Sequence, residues 1–181
     1  QNSMVDLKVE VKNQDAFTFI ENSEEFYDVI FVDLPDPNSV ALSRLYSREF
    51  YSLCQRRLNK FGIIVTQASS PVHSPNSFVC IIKTMEAADF TVLPYHNNIP
   101  TLGEWGWCLG MRKEVVSKDM LKEKVTEIEL PPPPTKFLNK DAVVSMVNFG
   151  KGVLDKKEKV KVNTILDPII VKYYKKGAWD V

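Results

Sequence analysis

The sequence predicts an α/β domain built on a mostly parallel sheet, and three observations carry that expectation. Apolar stretches of strand length alternate with stretches of helical periodicity, the pattern of βαβ units. Val29, Ile30, Phe31 and Val32 form a continuous apolar run, which suits a parallel strand covered on both faces. The chain has 181 residues, 44% hydrophobic and 25% charged, enough for one ordinary core.

Taken in order, Val5–Val11 alternates apolar and charged residues and reads as a half-buried or edge strand. Residues 15–20 read as a short turn or helix. The strand Tyr27–Val32 is stopped by Asp33-Leu34-Pro35-Asp36-Pro37, because two prolines so close together cannot continue a ladder. Ser47 reads as an N-cap with Glu49 in the first turn, and Phe50, Leu53, Cys54 and Leu58 follow at helical spacing. Residues 62–66 form a second buried strand. Ser74-Pro75 opens the next helix, with Phe78, Ile81, Ile82 and Met85 on its inner face. Phe90–Tyr95 is a strand. Gly103–Met111, with Trp105 and Trp107 on one face as packing residues, is expected to pair antiparallel at the sheet edge.

Beyond residue 113 the character changes, so residues 1–113 are read as the main unit and 114–181 as a helical and loop extension packing on it. Residues 112–130 are charged and helix-compatible, and Pro131–Pro134 is a stiff polyproline spacer. Ala142–Phe149 is a short amphipathic helix, Lys151–Lys161 a lysine-rich loop and Ile165–Tyr174 a final helix.

Composition excludes several classes. Lys and Arg number 23, as do Asp and Glu, so there is no general attraction to nucleic acid. No stretch approaches the roughly 20 apolar residues that span a bilayer. Cys54, Cys80 and Cys108 are odd in number and far apart, which argues against a disulfide framework or a zinc knuckle and fits a reducing cytoplasm. His73 and His96 have no Glu or Cys at metal-ligand spacing, so no metal site is expected. The first glycine is Gly62, so no glycine-rich phosphate loop precedes it. The chain starts at Gln1, which reads as a processed product or a piece of something longer.

In open sheets, ligands bind outside the carboxyl ends of the strands, here Asp15, Asp33–Asp36 and residues 67–70. Asp33 and Asp36 admit two readings. Asp and Pro are common turn formers. Two carboxylates fixed at a strand end can also hold a cation, and one of them can take the proton of a bound ammonium group.

The run from Tyr27 through Asp33 and Asp36 to Pro37 resembles the signature of the polyamine aminopropyltransferases, the spermidine synthases. Gln14–Phe17, Leu45–Tyr51, Gly62–Gln67 and Ile99–Gly106 match that family in the same order. The last segment, with Leu34-Pro35, Asn163-Thr164 and Tyr173-Tyr174, resembles the bacterial branch whose members carry the enzyme domain after a membrane-spanning region. The resemblance covers most of residues 13–110. It implies a Rossmann-like fold of the S-adenosylmethionine-dependent methyltransferase kind, lacking the first strands and the glycine-rich loop. It also implies transfer of an aminopropyl group from decarboxylated S-adenosylmethionine, a co-substrate rather than a resident cofactor, to putrescine or a similar amine. By the same resemblance Asp33 is the proton acceptor, Asp36 helps hold the diamine, Gln67 lines the substrate cleft, and Asp15 beside Ala16 binds the adenine amino group.

The implied partners are a polyamine and an adenosyl nucleoside, with a homo-oligomer and an upstream membrane-spanning region left open. The implied setting is cytoplasmic, either free or as the cytoplasmic domain of an inner-membrane protein. The sequence departs from the family at Ser39-Val40, where Gly-Pro is usual, and at Leu102, where a tyrosine usually supplies an amine contact. These departures and the missing glycine loop predict weak nucleoside binding and little activity by this chain alone. They keep two other readings open, a methyltransferase and a non-catalytic interaction domain on the same fold.

Overall fold

Strands β1 (Tyr27–Val32) and β2 (Leu58–Gln67) lie parallel, with Val29 opposite Ile63 and Val32 opposite Thr66. This computed structural model describes residues 6–130, 132 and 134–177. Strands β3 (Phe90–Ile99) and β4 (Gly103–Arg112) form an antiparallel hairpin, closed where Gly103 takes a left-handed φ of 73°. Strand β4 folds back into the space between β2 and β3, giving the order β1-β2-β4-β3.

Two expectations are corrected here. Only the β1–β2 pairing is parallel, so the sheet is mixed rather than mostly parallel. Strand β4 is antiparallel as expected, but it is internal and not at the edge. A crossover that places β3 two positions from β2 leaves a slot, and the hairpin fills it. Gly106 suits that slot, because a Cβ there would overlap the Phe78 ring of the helix packed above it.

Two further expectations fail for want of partners. Residues 6–14 contain no strand, and Leu7, Val9 and Val11 are exposed, so their alternation faces solvent on both sides. Val5, the first residue of that expected strand, lies outside the described residues. Strand β1 is the end strand, so its apolar run is not covered on both faces: Phe31 is 75% exposed while Val32 is buried.

The helices follow their caps. Asp15 caps α1 (Ala16–Asn22), accepting from the Thr18 N–H at 2.9 Å, and Ser47 caps α3 (Arg48–Arg57) through the Phe50 N–H at 3.2 Å. Between them lie the short α2 (Val40–Ser43) and a 3₁₀ turn (Arg44–Tyr46). Helix α4 (Pro75–Glu86) starts with Pro75 at its first turn, as expected. Eight of its twelve residues are buried, because the sheet covers one side and the C-terminal segment the other.

That segment contains α5 (Lys118–Thr126), α6 (Lys140–Met146), a 3₁₀ turn (Asp155–Lys159) and α7 (Ile169–Lys175). Helix α6 thus ends at Met146 rather than Phe149, and α7 begins at Ile169 rather than Ile165. Pro131 and Pro133 of the predicted spacer lie outside the described residues. Cys54, Cys80 and Cys108 are buried free thiols in the core, and burial raises the Cys54 and Cys80 thiols to about 12.

Asn163 fastens the C-terminal segment to the rest. It is fully buried, and its Nδ2 donates to the Ser43 and Tyr46 carbonyls at 2.9 and 3.0 Å. Its Oδ1 accepts from the Ile170 N–H of α7 at 3.3 Å, and its own N–H donates to Thr84 Oγ1 at 3.0 Å. Asn163→Ala strips partners from three buried backbone groups, each worth about 1–3 kcal/mol when left unsatisfied. The substitution is therefore expected to lower unfolding free energy by roughly 3 kcal/mol or more, read as a shift of the urea midpoint. A change below about 1 kcal/mol would show that the segment is held by apolar packing alone.

Candidate functional site

The chain leaves β1 at Val32 and enters the turn Asp33-Leu34-Pro35-Asp36-Pro37, beside the end of β2 where Val32 pairs with Thr66. Prolines lack an N–H, so this turn has carbonyls to satisfy and few donors of its own. The donors come from elsewhere. The Tyr46 hydroxyl, fully buried at the end of its 3₁₀ turn, is shared between the Leu34 and Pro35 carbonyls at 3.1 and 3.0 Å. The two hydrogens of Gln67 Nε2 are shared among Leu34 O at 3.0 Å, Tyr46 Oη at 2.8 Å and Asp36 Oδ1 at 3.1 Å.

The other end of the Gln67 carboxamide is equally committed. Its Oε1 accepts from the Ser69 N–H at 2.8 Å and from Trp105 Nε1 at 3.2 Å. Ser69 takes a left-handed φ of 62° to make that contact, uncommon for a residue with a side chain, and its carbonyl is fixed by the Gly106 N–H at 2.8 Å. Across the sheet Gln67, Trp107 and Tyr95 fall in one register row, and Trp107 stacks on Tyr95 with ring centres 5.5 Å apart. Burial and the Asp36 and Asp33 carboxylates raise the Tyr46 hydroxyl far above the ordinary phenol range, so it remains a donor.

These groups border a cavity of about 700 Å³ lined by Asp33, Asp36, Gln67, Trp105 and Trp107. Its charged end is the aspartate pair, and most of its remaining wall is apolar, including Phe31, Ile99 and Leu102. The two aspartates differ. Asp36 is half-buried and accepts on both oxygens, Oδ1 from Gln67 and Oδ2 from the Tyr174 hydroxyl at 3.1 Å. Asp33 is exposed to the cavity, and no hydrogen bond to its carboxylate occurs among the described residues. One carboxylate is thus held by two donors, and the other has none among the described residues.

A second hollow of about 300 Å³ lies across the turn. It is lined by Ala16, Phe19, Ile30 and Phe50, and it shares Asp33 and Leu34 with the first. Asp15, next to Ala16, is exposed and caps α1. Its Oδ1 also accepts from the Thr18 hydroxyl at 3.1 Å, and its Oδ2 pairs with Arg44. The Thr18 N–H, the largest influence, and the Arg44 guanidinium both hold its carboxyl below the usual range. A carboxylate has about four lone-pair sites, so Asp15 retains acceptor capacity beside the second hollow.

The structure thus brings Asp33, Asp36 and Gln67 to one cavity and sets Ala16 at a neighbouring hollow, with Asp15 preceding it at the cap of α1. Tyr46 and Tyr174 went unrecognised in the sequence as site residues, since one precedes a helix and the other lies 138 positions from its partner Asp36. Trp105 and Trp107, expected only to pack, face the cavity. His96 engages Glu104 through Nδ1 and the Asn148 carbonyl through Nε2 at 2.8 Å, tying the hairpin to residue 148. No group of three or more potential metal ligands occurs among the described residues.

The Gln67 carboxamide needs donors on one side and acceptors on the other, so Gln67→Glu is a sharp test of this frame. It places an anion against Asp36 Oδ1 and the Leu34 carbonyl. A loss of about 2 kcal/mol is expected at pH 7 by chemical denaturation. The introduced carboxyl is harder to ionise in the folded state, so the deficit is present above its raised folded value. It shrinks as pH falls toward about 4, where the protonated group can donate again. A pH-independent deficit would point to a packing defect instead.

The family model described as the spermine/spermidine synthase domain matches residues 1–124. A polyamine aminopropyltransferase of Oceanobacillus iheyensis is 37% identical over 185 aligned positions, covering 99% of this chain and 34% of the relative. Polyamine aminopropyltransferase 2 of Aquifex aeolicus is 35% identical, covering 97% and 34%. The chain therefore spans about a third of the length of these relatives. Among solved structures, spermidine synthase from Thermotoga maritima superposes with a TM-score of 0.67 at 20% identity, over 87% of this chain and 52% of that one. A spermidine synthase in complex with the transition-state analogue AdoDATO gives a TM-score of 0.70 at 20% identity. At that identity the likeness speaks to the fold, a Rossmann-like methyltransferase type.

Proposed function

The chain belongs to the spermine/spermidine synthase domain family, and on that premise we propose that its Asp33–Asp36 turn holds and deprotonates an amine that accepts an aminopropyl group from decarboxylated S-adenosylmethionine. The observation that carries the proposal is the unequal pair of carboxylates. Asp36 is fixed by two donors on separate oxygens, and Asp33 borders the same cavity with no hydrogen bond to its oxygens among the described residues.

The chemistry asks for that division of labour. A free alkylamine has a pKa near 10, so at neutral pH it arrives as an ammonium ion with no lone pair for attack. Asp36 grips the cation. The ammonium proton passes to Asp33, and the nitrogen lone pair so released forms a bond to the methylene carbon attached to the sulfonium as the carbon–sulfur bond breaks. The electron pair of that bond stays on sulfur as a neutral thioether. Gln67 keeps the turn in place throughout, while the apolar wall around Trp105 and Trp107 excludes water from the alkyl chain.

The second hollow receives the adenosyl group in this reading, with Ala16 against the base and Asp15 accepting from the adenine amino group. Because Asp33 and Leu34 border both hollows, the turn stands where the two substrates meet. Putrescine or a similar amine is the acceptor, and Leu102 gives it an apolar neighbour where the family pattern has a tyrosine. Residues 1–113 supply the C-terminal part of the Rossmann-like transferase domain and 114–181 the helical and loop extension that packs on it. A cytoplasmic setting goes with this reading and with three unpaired cysteines. No described helix is long and apolar enough to cross a membrane.

Steady-state kinetics on the intact protein test the assignment. Asp33→Asn is expected to lower kcat by about 10²- to 10⁴-fold, the usual worth of a general base, while leaving nucleoside affinity near the native value. Asp36→Asn is expected chiefly to raise KM for the amine. An Asp33→Asn protein with near-native kcat would remove Asp33 from the base role.

A further inference from the structure

We infer that Tyr174, on the last helix, is a positioning residue for the amine site: its hydroxyl fixes the Asp36 carboxylate in the orientation that faces the cavity. The inference rests on the amine-holding role proposed above for Asp36.

Asp36 sits on an irregular turn, and an aspartate on a turn is free to rotate about two side-chain bonds unless something holds it. A single donor on Oδ1 leaves the carboxylate a hinge. Gln67 on Oδ1 and Tyr174 on Oδ2, both at 3.1 Å, close that hinge from opposite sides. The Tyr174 phenol is only half-buried, yet burial and the neighbouring Asp36 anion push it up to about 12, so it donates across the physiological range.

The placement of Tyr174 is itself tied to the turn. Helix α7 is seated by Ile170, fully buried, whose N–H donates to Asn163 Oδ1. The Nδ2 of the same Asn163 donates to the Tyr46 carbonyl, and the Tyr46 hydroxyl holds the Leu34 and Pro35 carbonyls of the turn. One frame therefore fixes the turn's backbone through Tyr46 and its side chain through Tyr174. The neighbouring Tyr173 hydroxyl makes a different contact, accepting from the Lys161 N–H at 3.1 Å. That difference supplies a control on the same helix.

The experiment is amine and nucleoside kinetics on the intact protein carrying Tyr174→Phe, Tyr173→Phe, Asp36→Asn and the double change Asp36→Asn/Tyr174→Phe. Tyr174→Phe is expected to raise KM for the amine roughly tenfold, the loss of one hydrogen bond to a charged group. Its kcat and nucleoside KM stay within about twofold. Because the phenol stays protonated, the KM ratio to native is the same at pH 7 and pH 9. Tyr173→Phe leaves the amine KM unchanged, and the double variant is no worse than Asp36→Asn alone. An unchanged amine KM in Tyr174→Phe, or full additivity in the double variant, overturns the inference while leaving the role of Asp36 intact. An unchanged amine KM in Asp36→Asn overturns both.

Discussion

A turn with two prolines in five residues cannot satisfy its own carbonyls, and the arrangement around residues 33–37 answers that deficit. Leu34 and Pro35 present oxygens that no N–H of the turn can reach, so a buried phenol and a buried carboxamide supply the donors. Once Tyr46 and Gln67 are committed to this task their own surroundings are constrained in turn. Gln67 must have donors at its oxygen, which brings in Trp105 and the left-handed Ser69. Tyr46 must be buried, which requires the C-terminal segment above it. Breaking one contact would leave several buried polar groups unpaired, and that shared dependence makes the turn rigid.

In the proposed reaction the rigidity of this turn matters because the turn borders two hollows. The held Asp36 and the uncommitted Asp33 are three residues apart on the same frame, one facing a single cavity and the other bordering both. Such a division lets one carboxylate bind a cation without giving up its geometry while its neighbour takes the proton. The extension past residue 113 takes part through Asn163 and α7, which reach the same turn from a part of the chain remote in sequence.

Much of this was legible before any coordinates. The parallel pair β1 and β2, the cap at Ser47, the start of α4 at Pro75, the buried face of α4 and the placing of Asp33, Asp36 and Gln67 at the ends of adjacent strands all follow from local pattern. What was not legible depends on distant partners. Residues 6–11 alternate as a strand should, but alternation becomes a strand only when a neighbour offers a ladder, and here they are exposed. Phe31 belongs to an apolar run that reads as buried, yet it lies on an end strand. The insertion of β4 between β2 and β3 is a matter of sheet order, which pairing propensity does not encode. Tyr174 carries no local signal either, because its reach to Asp36 is set by how Ile170 and Asn163 seat the helix.

The assignment of the turn is tested most directly by a crystal structure of the intact protein with a bound analogue that joins an amine to an adenosyl group. The expected result is an amine nitrogen within about 3 Å of an Asp33 oxygen, Asp36 still bonded to Gln67 and Tyr174, and the adenosyl group in the hollow beside Ala16. An amine nitrogen beyond hydrogen-bonding reach of both aspartates, or the two halves of the ligand exchanged between the hollows, would contradict it.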